Sequence, residues 1–206
     1  MRNCHFTSVV LASVLLLAAA PTAMAATDEG QNPATPVVER LQNALLDVMK
    51  QGSKLDVNGR YMRLEPVITE THDFEFSVPR VFGEDWKRLT DAQKQTVTDL
   101  YRRVSIMTFA QQFSDYHGER FSIVDEKPAS RGDRLVRSVM HLPSGESVHF
   151  DYLLRQSDGQ WRIINTVFDG VSGLSMERSR YQPLLQQQGA DALIAQLRKA
   201  AAGQQP

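Results

Sequence analysis

The spacing of apolar residues along the chain changes from a helical period to alternation near Gly118. Before that point, apolar positions recur every three or four residues, which is typical of amphipathic helices. The pattern predicts a helix over about 36–51, capped by Thr35, and a second over about 57–71 that Pro66 breaks. Residues 74–83 are interpreted as a connector that carries aromatic side chains.

A third predicted helix starts at Thr90 and runs for about 25 residues. The sequence Thr90-Asp91-Ala92-Gln93 matches a capping box, in which the threonine and glutamine side chains bond each other's main-chain N–H groups. The apolar stripe widens in the second half of this helix, so we expect that half to be deeply buried. The helix is predicted to end near His117, ahead of Gly118, which is ordinary termination chemistry.

The alternating part of the chain predicts four strands, at about 121–127, 133–142, 147–156 and 161–168. The pair Asp158-Gly159 suits a two-residue hairpin turn. That turn predicts three facing pairs, namely Leu154 with Ile163, Tyr152 with Asn165, and Phe150 with Val167. Helices return over about 175–188 and 190–202, separated by Gly189. We therefore expect an α+β fold, with an antiparallel four-stranded meander sheet covered on one face by several helices.

The first 25 residues have the features of a secretory signal peptide. Arg2 precedes an apolar run over 9–20, and the small-residue site Ala23-Met24-Ala25 follows. The apolar run is shorter than the ~20 residues of a membrane span. We expect residues 1–25 to be removed, 26–35 to be a flexible lead-in, 36–202 to form a single α+β domain, and 203–206 to be a disordered tail.

Composition narrows the possible functions of the exported chain. The 206 residues include one cysteine, which is Cys4 in the signal peptide, so thiol chemistry and cysteine metal sites are excluded after cleavage. Lysine and arginine number 23 against 24 acidic residues. This balance argues against nucleic-acid binding, which usually needs a basic excess. We expect the protein to be exported to the periplasm and to be a monomer.

Two pairs of side chains were considered for chemistry. His141 and His149 flank one hairpin, but a zinc site needs three or four ligands, and no further ligand accompanies them. Asp151 and Asp169 would serve as an acid–base pair only if both lay in one cleft with separated pKa values. Asp151 is predicted on the polar sheet face and Asp169 in a turn, so a structural role is favoured for both pairs.

Several segments follow one another in an order that is typical of a known family: Leu89–Gln93, Phe109–Ala110, Tyr116–Phe121, Val148–Arg155, Gly159–Ile163, Asp169–Ser172, Arg180–Tyr181 and Gly189–Leu197. Through them the chain resembles the MlaC-type, or toluene-tolerance, periplasmic lipid-carrier family over about residues 37–200. This resemblance implies a lipid pocket between the sheet and the helices, with neither catalytic residues nor a cofactor. It also implies two partners, an inner-membrane MCE-type ABC transporter complex and an outer-membrane lipoprotein associated with a porin.

The resemblance leaves the cargo open between phospholipid and hopanoid, which a sister branch of the family is thought to carry. A rival hypothesis is a periplasmic enzyme or small-ligand module on a cone-shaped sheet-and-helix scaffold, and a third is a packed adaptor that binds only protein. For a lipid carrier, the candidate pocket residues are Val104, Met107, Phe109, Phe113, Phe150, Tyr152, Ile163 and Val167. The same side chains would equally suit an ordinary packed core.

Overall fold

A computed structural model describes residues 33–203 of the chain. Its helices are Thr35–Gln51 (α1), Val57–Thr71 (α2), Phe74–Phe82 (α3), Asp91–Gln112 (α4) and Gly173–Ala201 (α5). Its strands are Arg120–Pro128 (β1), Arg134–His141 (β2), Ser147–Ser157 (β3), Gln160–Phe168 (β4) and Val171–Ser172 (β5). Short 3-10 turns lie at Gly52–Lys54, Gly83–Arg88 and Ser130–Gly132. The predicted signal peptide lies outside the described residues.

The strands form one antiparallel sheet in the order β1-β2-β3-β4-β5. This confirms the predicted α+β class and the meander, and the four predicted strands match β1 to β4 within one residue at each end. The fifth strand was not predicted, because two residues are too short to show alternation. It pairs only with the end of β4.

The inner face of the sheet packs against α1, α2 and α4. This first apolar cluster has Leu41, Leu45, Ile68 and Ile106 on the helix side and Tyr152, Leu154 and Ile163 on the sheet side. A second cluster joins α3, the first half of α4 and α5. Helix α4 therefore lies in both clusters, and its second half is buried as the widened stripe predicted. Within residues 33–203, no helix has the length and apolar content needed to cross a membrane.

Two predictions about the second helix and the segment after it were wrong. Pro66 lies inside α2 without breaking it. The fully buried Leu64 and Ile68 anchor the helix on either side, and this packing outweighs the lost main-chain bond. The predicted connector is helix α3, because the Asp73 carboxylate caps it by accepting the Phe76 N–H at 2.8 Å.

The ends of the later helices agree with the sequence in part. The capping box at Thr90 is present as predicted, with Gln93 bonded reciprocally. Helix α4 ends at Gln112, however, and not near His117. The His117 N–H donates to the Glu119 carboxylate at 2.7 Å, so this stretch turns instead of continuing the helix. In α5, Gly189 breaks the helical geometry with a φ of 83°, as predicted from its position between two apolar patterns.

The predicted hairpin turn is correct, but its register holds for only part of the ladder. Leu154 faces Ile163 as expected. A β-bulge then shifts the pairing between Leu153 and Leu154, so that Tyr152 faces Thr166 and Phe150 faces Phe168. The bulge accommodates Ile164, which is buried although it follows the buried Ile163. An extra residue moves every later side chain of β4 to the other face.

The junction between α2 and α3 covers the free edge of β4. His72 forms an isolated parallel bridge with Ile163, and the Asp73 N–H donates to the Ile163 carbonyl at 3.0 Å. Farther along, the Ser77 hydroxyl donates to the Ile164 carbonyl at 3.0 Å. These bonds satisfy main-chain groups that an open sheet edge would leave unpaired. They also hold His72 and Phe74 beside the sheet.

The N-terminus of α1 is capped from the sheet, and not by Thr35 as predicted. Thr35 lies inside the helix, while the Glu126 carboxylate accepts the N–H groups of Ala34 at 3.0 Å and Thr35 at 2.9 Å. The Thr35 hydroxyl also donates to Glu126 at 2.6 Å. Burial alone would raise the pKa of Glu126, but the bonds from Thr35 and Ala34 outweigh it and hold the pKa below the usual value.

Replacing Glu126 with Gln is expected to lower the free energy of unfolding by about 1–2 kcal/mol at pH 7, the usual range for losing a helix cap. Because the folded-state pKa of Glu126 is depressed, the stabilisation is present above its usual pKa of 4.5 and lost as the pH falls through the folded value. Urea unfolding at pH 7 and pH 3 measures this difference. If the difference in unfolding free energy between the wild type and the variant is the same at both pH values, Glu126 does not act as a charged cap. The variant E39Q, at an exposed position, is the control.

Candidate functional site

A cavity of about 350 Å³ lies between α4, the start of α5, the α2–α3 junction and β4. The shell is mostly apolar and includes Phe74, Val104, Phe109, Ile163, Phe168 and Leu174. The mouth is marked by Met176, which lines the cavity and is also 46% exposed to solvent. A volume of this size, with mostly apolar wall surface, is typical of a binding site for an apolar ligand.

Aromatic rings form one wall of the cavity. The His72 ring stacks on Phe74 with centroids 5.7 Å apart and meets the edge of Phe109 at 6.0 Å. Phe109 stacks in turn on Phe113 at 5.9 Å. Tyr101 meets Phe74 edge-on at 6.4 Å. Stacked and edge-on rings hold one another in place, so this wall is built by α4 and the α2–α3 junction together.

Most hydroxyl groups around the cavity bond to the main chain. Ser105 donates to the Tyr101 carbonyl at 3.0 Å, and Thr108 donates to the Val104 carbonyl at 2.9 Å. Ser77 is bonded to β4, as described above. These side chains therefore present mainly their carbon atoms to the cavity, and the wall of α4 is less polar than its sequence suggests.

His72 is a titratable group within the aromatic wall. Its Nδ1 lies 3.2 Å from the Ile68 carbonyl and 3.0 Å from the Thr71 hydroxyl. Burial lowers the pKa of His72 from 6.5 to about 4, and the bond to Ile68 offsets only part of the effect. Because this pKa is low, the imidazole is neutral at neutral pH, and it lines the cavity without a charge.

A second cavity of about 330 Å³ lies farther along the inner face of the sheet. Phe113, Met140, Leu142 and Phe150 line it. The two cavities share Gln112 and Phe168, which form their common wall. The Phe168 ring packs edge-on against Phe150 at 5.1 Å.

The structure distributes the eight sequence-predicted pocket residues over three environments. Val104, Phe109 and Ile163 line the first cavity, and Phe113 and Phe150 line the second. Met107, Tyr152 and Val167 line neither cavity. Five of the eight residues thus line a cavity, and their role in lipid binding stays a prediction.

Each of the three remaining residues has a physical reason for its position. The β4 bulge pairs Val167 with Asp151 and puts it on the outer face of the sheet. Tyr152 is buried in the core, where its hydroxyl lies 3.5 Å from the Gln42 amide nitrogen. Met107 is buried beside Gly203, at the C-terminal end of α5.

Several cavity residues were not predicted from the sequence. Phe74 lies in the segment interpreted as a connector, and His72 lies just before that segment, at the end of α2. Leu174, Met176, Glu177 and Arg180 lie on α5. The start of α5 approaches β4 closely because Gly173 has no side chain, and a Cβ there would lie 3.1 Å from the Thr166 carbonyl. The glycine in Ser172-Gly173-Leu174 was the available signal for this close approach.

Neither of the two candidate pairs for chemistry lines either cavity, and Asp151 pairs with Val167 across the sheet. The His141 side chain bonds the Ser122 hydroxyl at 2.8 Å through Nε2. The Asp169 carboxylate accepts a hydrogen bond from the main-chain N–H of His149 at 2.8 Å. Across residues 33–203, no group of three or more His, Cys, Asp or Glu side chains is arranged to hold a metal ion.

Comparison with known proteins decides the family. The family model for the MlaC protein matches residues 39–199, most of the described chain. The chain belongs to the MlaC family. This membership confirms the resemblance stated from the ordered segments of the sequence.

One curated MlaC relative is the intermembrane phospholipid transport system binding protein MlaC of Haemophilus influenzae. It is 21% identical to this chain, over 75% of each sequence. Among solved structures, the fold is similar to a phospholipid-binding protein from Ralstonia solanacearum in complex with a phospholipid. That match has a TM-score of 0.73 at 19% identity and covers 84% of this chain and 99% of the other. The MlaC fold is therefore shared despite low sequence identity.

Proposed function

We propose that this protein is a periplasmic carrier that shuttles phospholipid between the outer membrane and an inner-membrane MCE-type ABC transporter. The observation that carries the proposal is the apolar cavity between α4, α5 and β4, in a member of the MlaC family. The H. influenzae relative is named for intermembrane phospholipid transport, and the R. solanacearum protein was solved with a phospholipid. The signal-peptide features of residues 1–25 support the periplasmic location.

The size of the cavities supports a cargo with acyl chains. A methylene occupies about as much space as a liquid water molecule, roughly 30 Å³, so each cavity holds about a dozen methylenes. One acyl chain in each cavity, on either side of Phe168, would bring most of the hydrocarbon of one diacyl lipid inside the protein. The ends of the two acyl chains that are joined to the headgroup would then lie at the mouth of the first cavity, beside Met176.

Physical chemistry explains why such a carrier needs no catalytic group. A phospholipid with roughly 30 methylenes gains on the order of 20 kcal/mol from burial, at about 0.8 kcal/mol per CH₂. A bilayer and a dry protein cavity both provide that gain, so transfer between them is close to balanced. Direction then comes from the partners, such as ATP hydrolysis at the inner membrane, while an outer-membrane lipoprotein and porin complex supplies or accepts lipid.

The test is the lipid content of the protein purified from the periplasm without added detergent. We expect mass spectrometry of an organic extract to find diacyl phospholipid at about one molecule per protein chain. A pentacyclic triterpenoid in the extract would assign the hopanoid cargo instead. An extract without either lipid, from a protein that also takes none up from vesicles, would contradict the proposal.

A further inference from the structure

One side of the first cavity differs from the aromatic wall because it carries polar and charged groups. These groups are the Tyr101 hydroxyl from α4, and the Glu177 carboxylate and Arg180 guanidinium from α5. Within the described residues, the Tyr101 hydroxyl has no hydrogen-bond partner, although the residue is only 7% exposed. The hydroxyl oxygen is not sealed from solvent, so a ligand group in the cavity can reach it and accept its hydrogen bond.

The two charged groups are close but not tightly bonded. The nearest Arg180 nitrogen lies 3.8 Å from the nearest Glu177 oxygen, which is longer than a hydrogen bond. The Arg180 side chain is 53% exposed at the mouth, whereas that of Glu177 is 25% exposed and lies deeper. Burial raises the pKa of Glu177, and the nearby Arg180 offsets only part of the effect. A cationic ligand group beside Glu177 would stabilise the charged form of this carboxylate.

The arrangement of these groups matches the charges of one kind of lipid headgroup. Phosphoethanolamine joins a phosphate to a primary ammonium through a two-carbon bridge, so both charges lie close together. We propose that Arg180 and Tyr101 bind the phosphate and Glu177 binds the ammonium, which makes this protein select ethanolamine phospholipids. The inference rests on the proposed function and specifies the lipid class that the same cavity prefers.

Other common headgroups satisfy this site less completely. Phosphatidylglycerol has the phosphate but no cation, so Glu177 would be left as a desolvated carboxylate without a partner. Phosphatidylcholine has a cation without N–H groups, so it cannot donate a hydrogen bond to Glu177. The ethanolamine headgroup supplies both the charge and the N–H donors, and charge-assisted hydrogen bonds are among the strongest in proteins.

Competition among headgroups tests the inference. The purified protein is incubated with vesicles of phosphatidylethanolamine, phosphatidylcholine and phosphatidylglycerol in equal amounts with identical acyl chains, and is then re-isolated. Mass spectrometry measures the bound lipids. We expect the wild type to be enriched in phosphatidylethanolamine over phosphatidylglycerol by roughly tenfold, the effect of one charge-assisted hydrogen bond. The variant E177Q should lose the enrichment, while the conservative variant E177D should retain it.

A matched control is available in Glu84, which forms an exposed ion pair with Lys87 at the same sequence spacing as Glu177 and Arg180. The variant E84Q should bind the same lipids as the wild type. Lipid uptake without a headgroup preference in the wild type, or an E177Q variant that keeps the preference, would overturn the inference while leaving the carrier function standing. Absence of uptake by the wild type would instead overturn the carrier function itself.

Discussion

Replacing Ser105 with Trp is expected to remove most of the bound lipid while leaving the protein folded. Ser105 lines the first cavity from α4, and its hydroxyl bonds only the carbonyl of Tyr101. An indole ring at this position would fill space that acyl methylenes need. Excluding three methylenes costs on the order of 2 kcal/mol, so the amount of phospholipid that co-purifies should fall more than tenfold.

A close control for this substitution is Thr96 on the same helix. Its hydroxyl also bonds a carbonyl one turn earlier, at 2.8 Å from Ala92, but the residue does not line the cavity. The variant T96W should retain the wild-type lipid content. Thermal unfolding confirms that both variants are folded. A folded S105W protein with undiminished lipid would remove the first cavity from the proposed binding site.

Replacing His72 with Asn is expected to remove a large acid-dependent loss of stability. In the folded protein His72 stays neutral down to about pH 4, whereas in the unfolded chain it accepts a proton below its ordinary pKa of 6.5. The unfolded state therefore binds the extra proton between these values, and stability falls as the pH falls. For a shift of this size, the loss reaches ~3 kcal/mol near pH 4.

The asparagine amide can occupy the Nδ1 position, so it keeps a donor for the Ile68 carbonyl, but it does not titrate. We expect H72N to be less stable than the wild type at pH 7, because the ring contacts with Phe74 and Phe109 are lost. The gap should narrow by ~3 kcal/mol on going from pH 7 to pH 4. Denaturant unfolding at a series of pH values measures it, and a constant gap would show that His72 is not held neutral in the aromatic wall.

The features that the sequence predicted well are those with a local physical cause. The capping box at Thr90 depends on two side chains three residues apart, and the Asp158-Gly159 turn depends on the turn residues themselves. The break in α5 depends on Gly189 alone. Such signals are visible in a single stretch of sequence, and the element boundaries that depend on them were accurate.

The features that could not be predicted from the sequence depend on contacts between distant segments. The bulge in β4 was hidden because Ile163 and Ile164 are both apolar, and alternation cannot show which of them is extra. That one residue put Val167 on the outer face and Phe168 in the cavity instead. The cap on α1 comes from Glu126, far away in the sequence, which no local motif could reveal.

The sequence indicated that a cavity could lie between the sheet and the helices, but it predicted only some of the residues that line it. The predicted residues came from α4 and the sheet, where the apolar patterns were clearest. The α2–α3 junction contributes His72 and Phe74 because it covers the edge of β4, which is a consequence of tertiary packing. The start of α5 contributes the polar side with Glu177 and Arg180, a pattern that resembles an ordinary solvated face in the sequence.

The most direct measurement is a crystal structure of the protein loaded with a phospholipid whose acyl chains carry bromine atoms. The account predicts anomalous bromine peaks in the first cavity, beside Phe109, Ile163 and Phe168, with the headgroup at the mouth by Met176. Bound lipid whose bromine peaks lie elsewhere on the protein, with this cavity empty of hydrocarbon, would contradict it.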